Sequence, residues 1–279
     1  MNLTASIESA EKILKQVLED FFASVYDEKN LFSHGIDHHR RVWNYAKELL
    51  TTRLIQSKLR PACDPSKLII ACYLHDIGMA VEPGPRHGVR SRELCLQFLN
   101  KYNLPENNYE DVLDTIGNHD NKNYTSKIGS NDLLKVLSVA DDLDAYGFTG
   151  IYRYSEIYLM RGMNPNQLGH LILENAVKRF KNFEDIYGVQ NFYVQFHRKR
   201  YGILTTFFRQ YNKQADSYNF ITDTPKGYCG VIQLFILMIR NKMAVNDLFA
   251  EAKLYQDDII IGPFMNRLKS ELSPDNSHE

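Results

Sequence analysis

The residues of this chain best suited to chemistry are histidines and aspartates set at the ends of apolar helices. The central pair is His75-Asp76, in the stretch Tyr73-Leu74-His75-Asp76-Ile77-Gly78. Leu68, Ile69, Ile70, Ala71, Cys72, Tyr73 and Leu74 precede it, and a helix apolar on every side is a buried helix. An imidazole and a carboxylate at its buried end need partners, because an unpaired carboxylate removed from water is strongly unfavourable. A divalent cation is the simplest partner for both. Adjacent helical residues point about 100° apart, so the pair can share one ion only at a helix end, with other helices supplying further ligands.

Four more residues stand in phase with apolar stripes and meet that requirement. His38 lies four residues before Val42 and seven before Tyr45, so it heads the inward face of a helix for which Asp37 is the N-cap and which runs to about Lys58. His87 begins a helix reaching about Tyr102, in register with Ser91, Leu94 and Phe98. Pro105 opens the next, whose stripe is Val112, Leu113, Ile116 and His119, and Asp141 falls in phase with Leu134 and Leu137 on a buried helix from Asp132 to Gly147. A single histidine on an apolar stripe is more often a hydrogen-bonded core residue than a ligand. Five helix ends in register carry more weight. Their mixture of imidazole and carboxylate suits Mn, Fe, Co, Ni or Zn better than Mg.

The elements that must position these groups all read as helices. Residues 4–26 form an amphipathic helix, and the central helix runs between Pro65 and Gly78. Residues 80–86 and 120–130 read as loops, and helical patterns continue over 151–161, 165–187, 191–213, 227–244, 245–257 and 262–272. No stretch alternates like a strand, so the fold class is all-α. The expected organisation is a ligand-bearing helical domain over residues 1–160 and a ligand-poor helical extension over 161–279 packing on it.

Composition narrows the function classes. A net charge of −1 gives no general footprint for nucleic acid or anionic membrane. The cysteines Cys63, Cys72, Cys95 and Cys229 are scattered with no Cys-x-x-Cys pair, as expected of reduced thiols in a cytoplasmic protein. The N-terminus has no signal-peptide core, and the longest apolar run, Val231 to Ile239, is too short to span a bilayer. Neither a Walker loop, a dinucleotide-binding fingerprint nor a Gly-x-Ser-x-Gly elbow occurs. His34 and His39 fall off the inward stripe and are expected at the surface or behind the ligands. His170 and His278 have no partners in view. The basic run His197-Arg198-Lys199-Arg200 reads as a solvated face.

Three segments, Asp37-His38-His39-Arg40-Arg41-Val42, His75-Asp76-Ile77-Gly78 and Ala140-Asp141-Asp142-Leu143-Asp144-Ala145, resemble in order the motifs of the HD-domain superfamily of metal-dependent phosphohydrolases. The resemblance covers about residues 32 to 150. It implies an HD-type helical bundle with additional C-terminal helices, and it implies His38, His75, Asp76 and Asp141 as metal ligands. Asp141 is preferred to Asp142 and Asp144 because it follows the alanine of the family's Ala-Asp pattern. His87-Gly88-Val89-Arg90-Ser91 and Ile116-Gly117-Asn118-His119 look like the further ligand segments of binuclear members. There Asp76 would bridge two ions and His87 and His119 would hold the second. In mononuclear members such histidines touch substrate phosphate. One departure is Met79, where many members carry a lysine able to meet phosphate. Arg41, Arg86, Arg90, Lys122 and Arg153 are the candidates to replace it.

The resemblance therefore implies hydrolysis of a nucleotide or other small phosphate ester or anhydride, using one or two divalent transition ions. Asp76 would place the nucleophilic water, and His87 or His119 would protonate the leaving oxygen if not a ligand. Two other readings stay open: a di-iron oxygenase similar to inositol oxygenase, and a non-catalytic metal- or nucleotide-binding module. Self-association is left open.

Overall fold

The computed structural model describes residues 2–26, 31–56, 63–82, 84, 86–120 and 132–273. Among them are twelve α-helices and no strand. The chain divides into two compact units. The first comprises Met1–Glu28, His34–Asp144 and Asn182–Val189; the second comprises Lys29–Ser33, Ala145–Lys181 and Gln190–Glu279.

The first unit is built from α1 (Leu3–Val25), α2 (Ile36–Gln56), α3 (Pro65–Leu74), α4 (His87–Lys101), α5 (Glu110–Asn118) and α6 (Asp132–Asp144). Its centre is α3, which the Asp64 side chain caps by accepting from Ser66 N at 2.9 Å and which opens on Pro65. Residues 68–74 of α3 have no exposed surface. That follows from their composition, because α3 packs against α1, α2, α4, α5 and α6 and presents no polar side to water. Truncating any of its leucines or isoleucines to alanine removes about 2–5 kcal/mol. Polar groups tie the outer helix α1 to this centre. Glu19 accepts from Arg40 Nε at 3.0 Å and Nη2 at 2.7 Å, and from the Tyr73 hydroxyl at 3.1 Å. One turn pair earlier, Glu11 accepts from Trp43 Nε1 and Lys47 Nζ, each at 2.7 Å.

α3 ends at Leu74, four residues before the expected stop at Gly78. His75 and Asp76 form the turn that leaves it, and a short 3-10 turn follows over Ile77–Ala80. Gly78 sits where no side chain fits. A Cβ there would lie 2.3 Å from the carbonyl oxygen of His87 and 2.6 Å from the nitrogen of Ser91. Its own N–H donates to Ser91 Oγ at 2.8 Å. The glycine thus lets the turn after Asp76 lie directly on the first turn of α4.

The second unit has its own apolar core, drawn from α7 (Gly147–Met160), the part of α8 (Pro165–Tyr187) up to Lys181, α9 (Phe192–Ala215), α10 (Gly227–Asn241), α11 (Val245–Ala252) and α12 (Ile261–Leu272). Ile151, Leu168, Leu204, Phe208, Phe235 and Leu268 lie at its middle. Gly147 begins α7 with φ +73°, a left-handed conformation that glycine adopts without strain. The carboxylate of Glu271 receives the Thr149 N–H at 2.8 Å, so α12 caps the N-terminus of α7. Buried Glu156 accepts from Ser33 N at 2.8 Å and Phe32 N at 3.2 Å; burial raises its carboxyl above the usual range. The basic run on α9 is not wholly a solvated face. His197 is fully buried, Arg198 lies over the ring of Phe180, and Arg200 donates to the Tyr146 carbonyl at 3.0 Å.

Candidate metal centre

Each of the six candidate ligands sits at a helix terminus of the first unit. His38 is in the first turn of α2, and His75 and Asp76 follow the last turn of α3. His87 opens α4, His119 follows α5, and Asp141 is in the last turn of α6. Termini leave side chains free to turn across the helix axis, so five of them meeting at one point collect donors that one helix could not.

The six side chains fall into two groups that share Asp76. His38, His75, Asp76 and Asp141 form one; Asp76, His87 and His119 form the other. Within each group the potential ligand atoms lie within 4.8 Å of one another, and all are buried. Asp76 gives one oxygen to each. Its Oδ2 lies 3.4 Å from His75 Nε2 and 3.5 Å from His38 Nε2. Its Oδ1 lies 2.8 Å from His119 Nε2 and 3.2 Å from His87 Nε2. Asp141 Oδ1 completes the first group at 3.8 Å from His38 and 3.9 Å from His75.

Hydrogen bonds set the tautomers. His75 Nδ1 faces the Cys72 carbonyl at 3.0 Å, His87 Nδ1 that of Gly84 at 2.9 Å, and His119 Nδ1 that of Ile116 at 2.7 Å. His38 Nδ1 faces Asp144 Oδ2 at 2.8 Å. A carbonyl or carboxylate only accepts, so each Nδ1 carries a hydrogen and each Nε2 faces inward, offering a lone pair to an ion when the ring is neutral and a second hydrogen to Asp76 when it is protonated. The Nε2 atoms of His38 and His75 stand 3.3 Å apart. A proton between the two nitrogens or a shared cation stabilises such a pair. Ligand bonds of 2.0–2.2 Å at ordinary coordination angles place two donors roughly 3.0–3.5 Å apart, and the His38, His75 and Asp76 atoms already match that span. The residues present fit a divalent ion.

The acid–base balance is that of a site organised about positive charge. Burial would raise the Asp76 carboxyl, but the charge of His75 and hydrogen bonds from His119, His38 and His87 hold it well below the usual carboxylate range. Burial would lower His87, yet its bond to Asp76 takes it up to about 9. His75 is likewise raised against burial by the charge of Asp76. His119 stays lowered, burial outweighing its bond to the same carboxylate.

Other candidate residues have definite places. Arg41 holds Asp144 through Nε–Oδ1 at 2.7 Å and Nη2–Oδ2 at 3.0 Å. Arg86, 78 % exposed, pairs with Glu82, and Arg90 pairs with Glu93; both flank His87. Arg153 is buried in α7 of the second unit, and Lys122 lies outside the described residues, as does His278. Met79 is buried at 3 % exposure. Of the two places expected for His34 and His39, the surface is excluded, since both are buried, at 3 % and 0 % exposure, and they lie beside or behind the ligand cluster. His39 Nδ1 donates to the Cys72 carbonyl at 3.0 Å, and burial keeps its ring neutral. His34 Nε2 comes to 3.9 Å from Asp76 Oδ2. Its signal was present, four residues before His38, but Gly35 masked a continuous helical face.

An all-α unit that gathers four histidines and two aspartates at converging helix ends belongs to the class of helical His/Asp metal-binding domains. More narrowly, the HD domain family model matches residues 35–146, the stretch that carries all six candidate ligands. No curated protein and no solved structure matches the chain. HD domains form a superfamily of metal-dependent phosphohydrolases.

Proposed function

We propose that the chain hydrolyses a phosphate ester or anhydride of a small molecule, a nucleotide or a comparable metabolite, by attack of water. The observation that carries this reading is the division of the Asp76 carboxylate, one oxygen to each group of donors. His38, His75, Asp76 and Asp141 would hold one divalent ion, and Asp76, His87 and His119 a second. Mn, Fe, Co, Ni and Zn suit this donor set, Mg less so. When bound, such ions lower the pKa of water in their coordination sphere and polarise the phosphoryl oxygen.

The chain's own residues supply the remainder. Asp76 orients the attacking water between the two groups of donors. His34 lies outside both groups yet beside Asp76, so its Nε2 is placed to hand a proton to the leaving oxygen. Arg86 and Arg90 stand on either side of His87 in exposed ion pairs, and such pairs are worth only about 0–1 kcal/mol. Both can exchange their glutamates for substrate phosphate, the role Met79 leaves open. Arg41, engaged by Asp144, serves the centre from behind. A cytoplasmic setting fits four buried, unbridged cysteines.

Release of phosphate or pyrophosphate from a panel of nucleotides and small phosphoesters, with added Mn²⁺, tests the reading. Wild type should turn over at least one substrate, and Asp76→Ala should be inactive while remaining folded. Equal activity in the two proteins would remove the assignment. Four imidazoles among six donors also suit two irons, which supports the second reading, an oxygenase. A silent panel together with iron-dependent oxygen uptake would favour it.

A further inference from the structure

The four histidines of the centre are not oriented alike. His75, His87 and His119 each give their Nδ1 hydrogen to a neutral backbone carbonyl three residues earlier. His38 alone gives it to a carboxylate, Asp144 Oδ2 at 2.8 Å. That carboxylate is fully buried and is gripped by Arg41, whose Nε meets Oδ1 at 2.7 Å and whose Nη2 meets Oδ2 at 3.0 Å. The nearest comparable group on another ring is Asp120, whose Oδ2 is 3.7 Å from His87 Nδ1, beyond hydrogen-bond distance.

We propose that Asp144, clamped by Arg41, is a positioning residue that makes His38 the strongest donor of the four and sets the affinity of the His38–His75–Asp76–Asp141 position for its ion. The inference rests on the metal-centre reading above. A carboxylate accepting from the far side of an imidazole raises the basicity of the ligating nitrogen and fixes the ring's plane. The guanidinium pairs with the buried Asp144 carboxylate, and its fork holds the carboxylate plane. Because Arg41 and Asp144 cancel in charge, they add orientation and polarisation without changing the charge that Asp76 and Asp141 present to a dication. The other position has three donors, one of them the shared Asp76, and rings set by carbonyls. The two positions therefore bind in order, the His38 position first.

Calorimetric titration of the metal-free full chain with Mn²⁺ reads this directly. Wild type should show a tight and a weaker step, and His119→Ala should lose only the weaker. Asp144→Asn, which keeps the shape and an acceptor oxygen, should weaken the tight step by about 10–100-fold and leave the weaker step in place. Arg41→Lys keeps the charge but loses the fork and should weaken the tight step by a smaller factor, roughly 3–10-fold. The double variant Arg41→Met/Asp144→Asn leaves no lone buried charge, and its thermal unfolding without metal checks the fold independently. If only Arg41→Lys folds, its tight-step affinity decides. An unchanged tight step in folded variants, or equal weakening of both steps, would overturn the proposal while the metal centre stands. Wild type that binds no Mn²⁺ would instead remove the metal centre itself.

Discussion

At the scale of single residues, Asp76 has to satisfy four imidazoles with two oxygens. Asp76→Asn leaves the shape but replaces one oxygen by an NH₂ that cannot coordinate. It is expected to lower bound Mn²⁺ from two ions to at most one and turnover by more than about 100-fold, measured by metal analysis and phosphate release. His34→Ala separates proton transfer from metal binding. It should keep the metal content and lower turnover by roughly 10²–10⁴-fold; loss of metal along with activity would make His34 a ligand instead. The sequence exposes these residues unevenly. His38, His75, Asp76, His87, His119 and Asp141 stand out because a polar residue in phase with an apolar stripe breaks a pattern. Asp144 is three residues beyond Asp141 on the same helical face, but its pairing with His38 and Arg41 spans more than a hundred residues, and no periodicity reports such a contact.

At the scale of elements, the centre depends on how closely helix ends approach. Gly78→Ala would drive a methyl into the His87 carbonyl and Ser91. The strain is about 1–3 kcal/mol or more, and relieving it displaces the start of α4. The expected result is a lowered thermal midpoint together with loss of the weaker Mn²⁺ step. A lowered midpoint with both steps intact would show that the turn gives without moving His87. The brace from α1 adds a pH dependence. Its bonds to Arg40 hold the Glu19 carboxyl below 4.5, against a smaller effect of burial. Its contribution is therefore present above about pH 4.5 and is lost as pH falls through the lowered value. Arg40 is 43 % exposed, so the pair is worth roughly 1 kcal/mol or less. Urea midpoints of metal-free wild type and Glu19→Gln should differ at pH 7 and converge as pH falls through the lowered Glu19 value. The helices themselves were legible because their apolar periods are long. Their ends were less so: Gly147 reads as the stop of one helix but, at φ +73°, opens the next, because the capping carboxylate of Glu271 comes from a helix more than a hundred residues away.

At the scale of the whole molecule, every candidate ligand belongs to the first unit, while the second has an apolar core of its own. No described helix is long and apolar enough to cross a membrane. Ions that between them join the ends of α2, α3, α4, α5 and α6 bind only when those ends are together, so their binding free energy adds to the stability of the folded first unit. At a free Mn²⁺ concentration of 100 times the dissociation constant the gain is about 2.7 kcal/mol for one site. For a unit of this size that corresponds to a rise in thermal midpoint of roughly 5–10 °C. Hydrogen exchange locates the effect. Amides at the end of α3, the 3-10 turn after it and the first turn of α4 should slow on adding Mn²⁺, whereas those in the core of α9 and α10 should not. Asp76→Asn should lose both the rise and the local slowing. If the variant keeps them, the ion stabilises the protein from somewhere other than the helix ends that Asp76 joins.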